Sequence, residues 1–62
     1  MKLFMIYWDH TYQGGPLCAL ENISHFDEDL GYEKKDIDKV KSMKVDQIIV
    51  IDDDHIKIVR VQ

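Results

Sequence analysis

The chain is poor in the residues that staple, break or loosen a small fold: one cysteine, one proline and three glycines among 62 residues. A lone Cys18 forbids an internal disulfide, so stability has to come from packing, and a reducing, cytoplasmic setting is the simpler expectation (the host cytoplasm for a phage-encoded chain). Little proline and glycine, with 45% hydrophobic and 32% charged residues, exclude a low-complexity or disordered chain. No apolar run approaches the roughly 18 residues of a membrane span. Residues 1–8 carry only Lys2 before an apolar stretch without a small-residue cleavage site, which is not a signal-peptide pattern. Positive charge is short as well: 8 Lys and Arg against 12 Asp and Glu leave a formal −4 with the three histidines neutral. No basic stripe or aromatic–basic alternation is left to bind nucleic acid directly. At this length roughly 60% of the unfolded surface is buried, which confines residues 1–62 to a single small domain with little space for a catalytic pocket.

What is present is a sequence of short elements. Residues 1–8 read as a strand in which Leu3, Met5 and Tyr7 alternate with Phe4, Ile6 and Trp8, so both faces are apolar. Such a strand is central in a small sheet or covered on one side by a partner. Gly14-Gly15-Pro16 breaks the chain. Residues 17–23 then form either a strand returning beside the first or a helix with Pro16 at its first position; the hairpin-like length of the preceding loop favours the strand. Ser24 as N-cap, Asp27 three residues on, Phe26 and Leu30 at i,i+4 and Gly31 as a left-handed stop predict a short helix over 24–30. Ile37, Val40 and Met43 predict a second helix over about 34–44, acidic toward its start and lysine-rich toward its end as the helix dipole favours. Residues 47–52 and 55–61 are β-branched strands joined by a tight turn at Asp53-Asp54; the pair Ile58-Val59 breaks alternation and requires a bulge or burial on both sides. The expected fold is α+β: a small antiparallel sheet, made of an N-terminal strand or hairpin and a C-terminal hairpin, with one or two short helices packed on one face.

Four constellations carry chemistry. Asp9-His10, His25 and Asp52-Asp53-Asp54-His55 are metal-ligand types, but the spacing matches no calcium loop, and Asp53 and Asp54 are also ordinary turn residues; the turn explanation is preferred and no metal or other cofactor is expected. Cys18 with His10 or His25 as base is a candidate nucleophile, set against the commoner role of a lone cysteine as a small buried hydrophobe. With no catalytic motif in view, the chain is expected not to be an enzyme. Asp27-Glu28-Asp29, followed by Glu33, Asp36 and Asp38, and Asp52-Asp53-Asp54 form two acidic clusters which, if they converge, steer a basic surface of another protein; solvated helix and turn positions are the alternative. Finally, Tyr7, Trp8, His10 and Tyr12 crowd the exit of the first strand, and Trp8 and Tyr12 are candidate interface anchors.

Gly31-Tyr32, Asp36-Ile37, Val40, Met43, Val45, Asp54-His55 and Arg60-Val61 together resemble a pattern in short phage and mobile-element proteins, among them anti-CRISPR-type inhibitors of host defence. The pattern places Gly-Tyr before a helix with Asp-Ile, then a hairpin whose last strand opens with Asp-His and closes with Arg-Val. The resemblance spans about residues 26–61, with Asp46-Gln47 where Gly-Glu is expected and a last strand one residue longer. It implies a protein that evades host defence by binding and blocking a larger one, and it assigns no individual residue a role. The expectation is therefore a non-enzymatic protein–protein interaction module whose partner is a larger host or defence protein, including a nucleic-acid-binding complex. Trp8, Tyr12, Asp27, Glu28, Asp29, Asp52, Asp53 and Asp54 are its candidate partner-binding residues. A homo-oligomer, dimerising through the first strand or the 56–61 edge, is the alternative, with a metal-binding protein behind it.

Overall fold

The computed structural model describes residues 2–9 and 17–62. Their order is β1 (Leu3–Trp8), β2 (Leu17–Asn22), two single 3-10 turns (Ile23–His25 and Glu28–Leu30), α1 (Lys34–Lys41), β3 (Ile48–Ile51) and β4 (Ile56–Arg60). The four strands form one antiparallel sheet in the order β2-β1-β4-β3, so the chain is a small α+β fold. The two-faced apolar strand β1 is central, and residues 17–22 are the returning strand.

Register sorts the side chains into two sets. Ile6 lies opposite both Ala19 and Ile58, and Ile58 opposite Ile49; Trp8 lies opposite Leu17 and Ile56, and Ile56 opposite Ile51. From this set Phe4, Ile6, Ile51, Ile56 and Ile58 are buried, and they form one cluster with Phe26 and with Ile37, Val40 and Met43. The alternate set places Leu20, Met5, Val59 and Ile48 side by side across all four strands, with Cys18, Tyr7, Lys57 and Val50 in the next row. The Ile58-Val59 pair therefore needs no bulge: pairing is continuous, and the two residues serve opposite faces.

Several boundaries differ from the sequence expectation, each for a local reason. In place of one helix over 24–30 there are two 3-10 turns, because side chains compete for the backbone. The Asn22 side chain accepts from the Ser24 N–H, while Asp27 is extended and accepts from the Asp29 N–H at 2.8 Å. Phe26 is consequently buried and Leu30 is 60% exposed, so they do not share a face. Gly31 does take the left-handed conformation, with φ +96°. Helix α1 ends at Lys41, three residues early. The Ser42 N–H is shared between the Asp38 and Lys39 carbonyls and the Met43 N–H donates to Val40, a tightening that still delivers Met43 to the core. Arg60 then donates to the Met43 carbonyl at 2.6 Å and to the Gln62 carbonyl at 3.1 Å, tying the helix exit to the last strand. The β3–β4 connection is a four-residue turn in which Asp52, Asp53 and Asp54 all have positive φ, closed by the His55 N–H donating to the Asp52 carbonyl. Asp is among the few residues other than Gly that tolerate this region.

Candidate functional site

Two surfaces stand out. One is a cleft of about 460 Å³ between the end of β1, the β3–β4 turn and the entry to α1. Trp8, Tyr32, Ile51 and Ile56 supply apolar walls, and Glu33, Asp36 and Asp52 supply carboxylates. Tyr32 is set by a ring cluster: Phe4, Phe26, His25 and Tyr32 meet edge to face with centroids 5.2–5.5 Å apart. The His25 imidazole Nε2 lies 3.0 Å from the Tyr32 hydroxyl, and its Nδ1 lies 3.7 Å from a Glu21 carboxylate oxygen. Burial, and secondarily the Glu21 charge, push the Tyr32 phenol up from its ordinary pKa of 10.0.

Beyond the cleft the strand ends are latched. His55 Nδ1 sits 2.6 Å from Asp9 Oδ2, and the Asp9 N–H donates to the His55 carbonyl. The hydrogen bond to Asp9 is the main reason the His55 pKa is raised above 6.5; the Asp9, Asp52 and Asp53 charges act in the same direction and desolvation opposes them.

The second surface is the alternate face of the sheet. Tyr7 (40%), Val50 (45%), Leu20 (54%) and Ile48 (56%) are exposed there, around half-buried Leu3, Met5 and Val59. In these two rows the one charge is Lys57, whose ammonium lies 5.0 Å from the Tyr7 ring centre. Cys18, expected to be a buried hydrophobe, is instead an exposed free thiol on this face, because β2 is an edge strand and the position opposite Tyr7 points away from the core.

The predicted site residues are distributed unevenly. Trp8 is half-buried against the core and walls the cleft, where Asp52 joins it. Asp52, Asp53 and Asp54 border a neighbouring groove with Glu33, Asp36, Lys35 and Lys39. Asp27 and Glu28 line a different groove beside Lys34 and Lys41, and Asp29 is exposed. Asp27, Glu28 and Asp29 thus line no groove in common with Asp52, Asp53 and Asp54 among the described residues; Asp52 is joined instead by Glu33 and Asp36. Tyr12 and His10 lie outside the described residues. Among the described residues no three metal-ligand side chains converge; His25 turns to Tyr32 and His55 to Asp9. Sequence reasoning does not single out Tyr32, groups Glu33 and Asp36 with Asp27, Glu28 and Asp29 and not with Asp52, and leaves open whether the second face of the first strand is bare. Its signal was legible: β1, β3 and the Ile58-Val59 pair are apolar on both sides, more than one eight-residue helix covers.

No helix of the described residues is long and apolar enough to cross a membrane. Comparison with protein-family models, with curated proteins and with solved structures finds no match for this chain.

Proposed function

We propose that this chain is a non-enzymatic protein-interaction module whose bare sheet face is covered by a larger protein. The carrying observation is the row Leu20, Met5, Val59 and Ile48 with Tyr7 and Val50 beside it: large apolar side chains held in register on the solvent side of the sheet. In this reading α1 and the 3-10 turns close one face, and the partner closes the other. Four strands about 4.8 Å apart and four to six residues long span a face of roughly 300–400 Å², the size at which a contiguous apolar patch marks an interaction site. The acidic β3–β4 turn and the cleft carboxylates would steer a basic partner surface toward it.

A role without turnover is supported by the same geometry. The Glu21–His25–Tyr32 chain has the shape of a relay, but a phenol held above its ordinary pKa is a poorer nucleophile, and the chain serves to fix a ring. The resemblance to short phage-type inhibitors agrees with a blocking role in the cytoplasm, against a host or defence protein. Self-association through the same face is the second reading, favoured by its apolar character alone. Lys57 stands near the centre of that face with no carboxylate among its neighbours in the strand register, which suits a partner that brings one better than a second copy that brings another lysine.

The test is paired. Sedimentation over a concentration series reads self-association, and quantitative capture from a host lysate compares the wild type with I48K/V50K and with D52N/D53N/D54N. The expected result is a monomer whose partner is lost with I48K/V50K and bound with a slower, less salt-dependent on-rate by the triple aspartate variant. A monomer whose capture profile is unchanged in I48K/V50K overturns the reading.

A further inference from the structure

We propose that the cleft between Trp8, Tyr32 and the first turn of α1 is a binding site for a guanidinium group, held by the Asp36 carboxylate and stacked on the aromatic walls. The inference stands apart from the sheet face, since it concerns a different surface and a specific chemistry.

Three observations carry it. The lining presents three carboxylates, Glu33, Asp36 and Asp52, and no lysine or arginine among the described residues; Glu33 is paired with Lys35 at 3.4 Å, whereas Asp36 and Asp52 pair with no described lysine or arginine, so these two set the cleft for a cation. Asp36 is only 9% exposed, yet its side chain makes no hydrogen bond or ion pair with another described residue. No sealed side-chain polar atom among the described residues lacks a partner, so the Asp36 oxygens keep an accessible edge, and the residue borders both this cleft and the adjoining groove of Lys35 and Lys39. A carboxylate in the first turn is favoured by the helix dipole, but that preference is met equally well in open solvent and does not account for a carboxylate sunk beside aromatic rings. Third, Trp8 and Tyr32 offer ring surface, and the bond from Tyr32 to His25 holds one of the rings in place.

The choice among cations follows from the donor set. A metal ion needs several ligands around one point, and the described residues offer no such group of three. A guanidinium is planar, weakly hydrated and able to stack on a ring while its fork engages a carboxylate; an ammonium is a compact, strongly hydrated point charge that gains less from such walls. The source is either an arginine side chain of a bound protein or a free guanidino compound, and the chemistry is common to both.

Titrations followed by amide and indole NMR, at constant ionic strength, use Nα-acetyl-arginine methylamide, the matching lysine derivative and methylguanidinium. The expected result is saturable shifts of the Trp8 indole N–H and of the Gly31 and Asp36 amides with the arginine derivative, and binding several-fold weaker with the lysine derivative. Tighter binding of the arginine derivative than of methylguanidinium points to a side chain; equal binding points to a free guanidino compound. Asp36→Asn keeps the shape and is expected to weaken binding about tenfold, the loss of one charge-assisted hydrogen bond, with the rest of the spectrum unchanged. Asp46→Asn, at an exposed position outside the cleft, is expected to leave binding as it was. Shifts that never saturate, equal binding of the lysine derivative, or equal losses in Asp36→Asn and Asp46→Asn overturn the proposal.

Discussion

The bare sheet face makes a quantitative demand on stability that distinguishes it from the core face one residue away. Consider the triple variant Leu20→Thr, Ile48→Thr and Val50→Thr. Full burial of a Leu, Ile or Val side chain contributes about 1.5–3 kcal/mol, but these three are 54%, 56% and 45% exposed, so only about half of that is at stake at each. Threonine keeps a β-branched shape suited to a strand, retains a methyl group and exposes its hydroxyl to water. The cost is then about 0.3–0.7 kcal/mol per site, or roughly 1–2 kcal/mol for the triple change. The contrast is Ile58, which is 0% exposed: Ile58→Val, a single methyl, should cost about 1 kcal/mol, and Ile58→Ala about 2–5 kcal/mol. A chain of this length has about 3–9 kcal/mol in all, so Ile58→Ala should be near or past unfolding while the triple threonine variant folds. Urea denaturation with fluorescence and circular dichroism reads both, and the slope against urea should be unchanged in the triple variant because the same surface is exposed on unfolding. A triple variant less stable than Ile58→Ala, or a midpoint that falls on dilution of the wild type, would refute the assignment of this face as uncovered in the free chain.

Further outcomes follow from the latch and the turns. NMR titration should place the His55 pKa above 6.5, with Asp9→Asn bringing it down, since the Asp9 carboxylate is the main stabiliser of the imidazolium. Because the folded-state value is the higher one, the contribution is fully present below about pH 6.5 and is lost as pH rises through the folded-state value; it should be absent from the stability profile of Asp9→Asn. A His55 pKa that does not move in Asp9→Asn would count against the latch. Gly31→Ala should cost about 1 kcal/mol in thermal or urea unfolding: φ is +96° and nothing lies within 4 Å of the added methyl, so the whole cost is backbone conformation.

The elements were legible where local chemistry decides alone. Gly31 has no competitor for a left-handed stop, and the apolar spacing of Ile37, Val40 and Met43 places all three in the core even though the helix tightens before the last of them. The 24–30 segment departs from the helix its spacing predicts because Asn22 and Asp27 offer the backbone side-chain partners that periodicity does not reveal. The acidic clusters were visible as composition, but pairing Asp27–Asp29 with Asp52–Asp54 required knowing which loops lie together, and a sequence separation carries no such information.

Taken by itself, then, the sequence determined the classes: a small α+β chain, an N-terminal strand, a helix from about residue 34 and a C-terminal hairpin in order, no internal disulfide, an acidic balance, and a first strand too apolar for one face. Each depends on residue type and on spacings of two to four residues, which the backbone converts directly into local structure. Only the tertiary structure decided that β1 is both central and half uncovered, that Cys18 faces outward, and that Asp36 meets Trp8, Tyr32 and Asp52 in one cleft. Those outcomes turn on strand order and register, fixed by which pairing buries Phe4, Ile6 and Ile58 together, and a shift of one residue would have exchanged the buried face for the bare one.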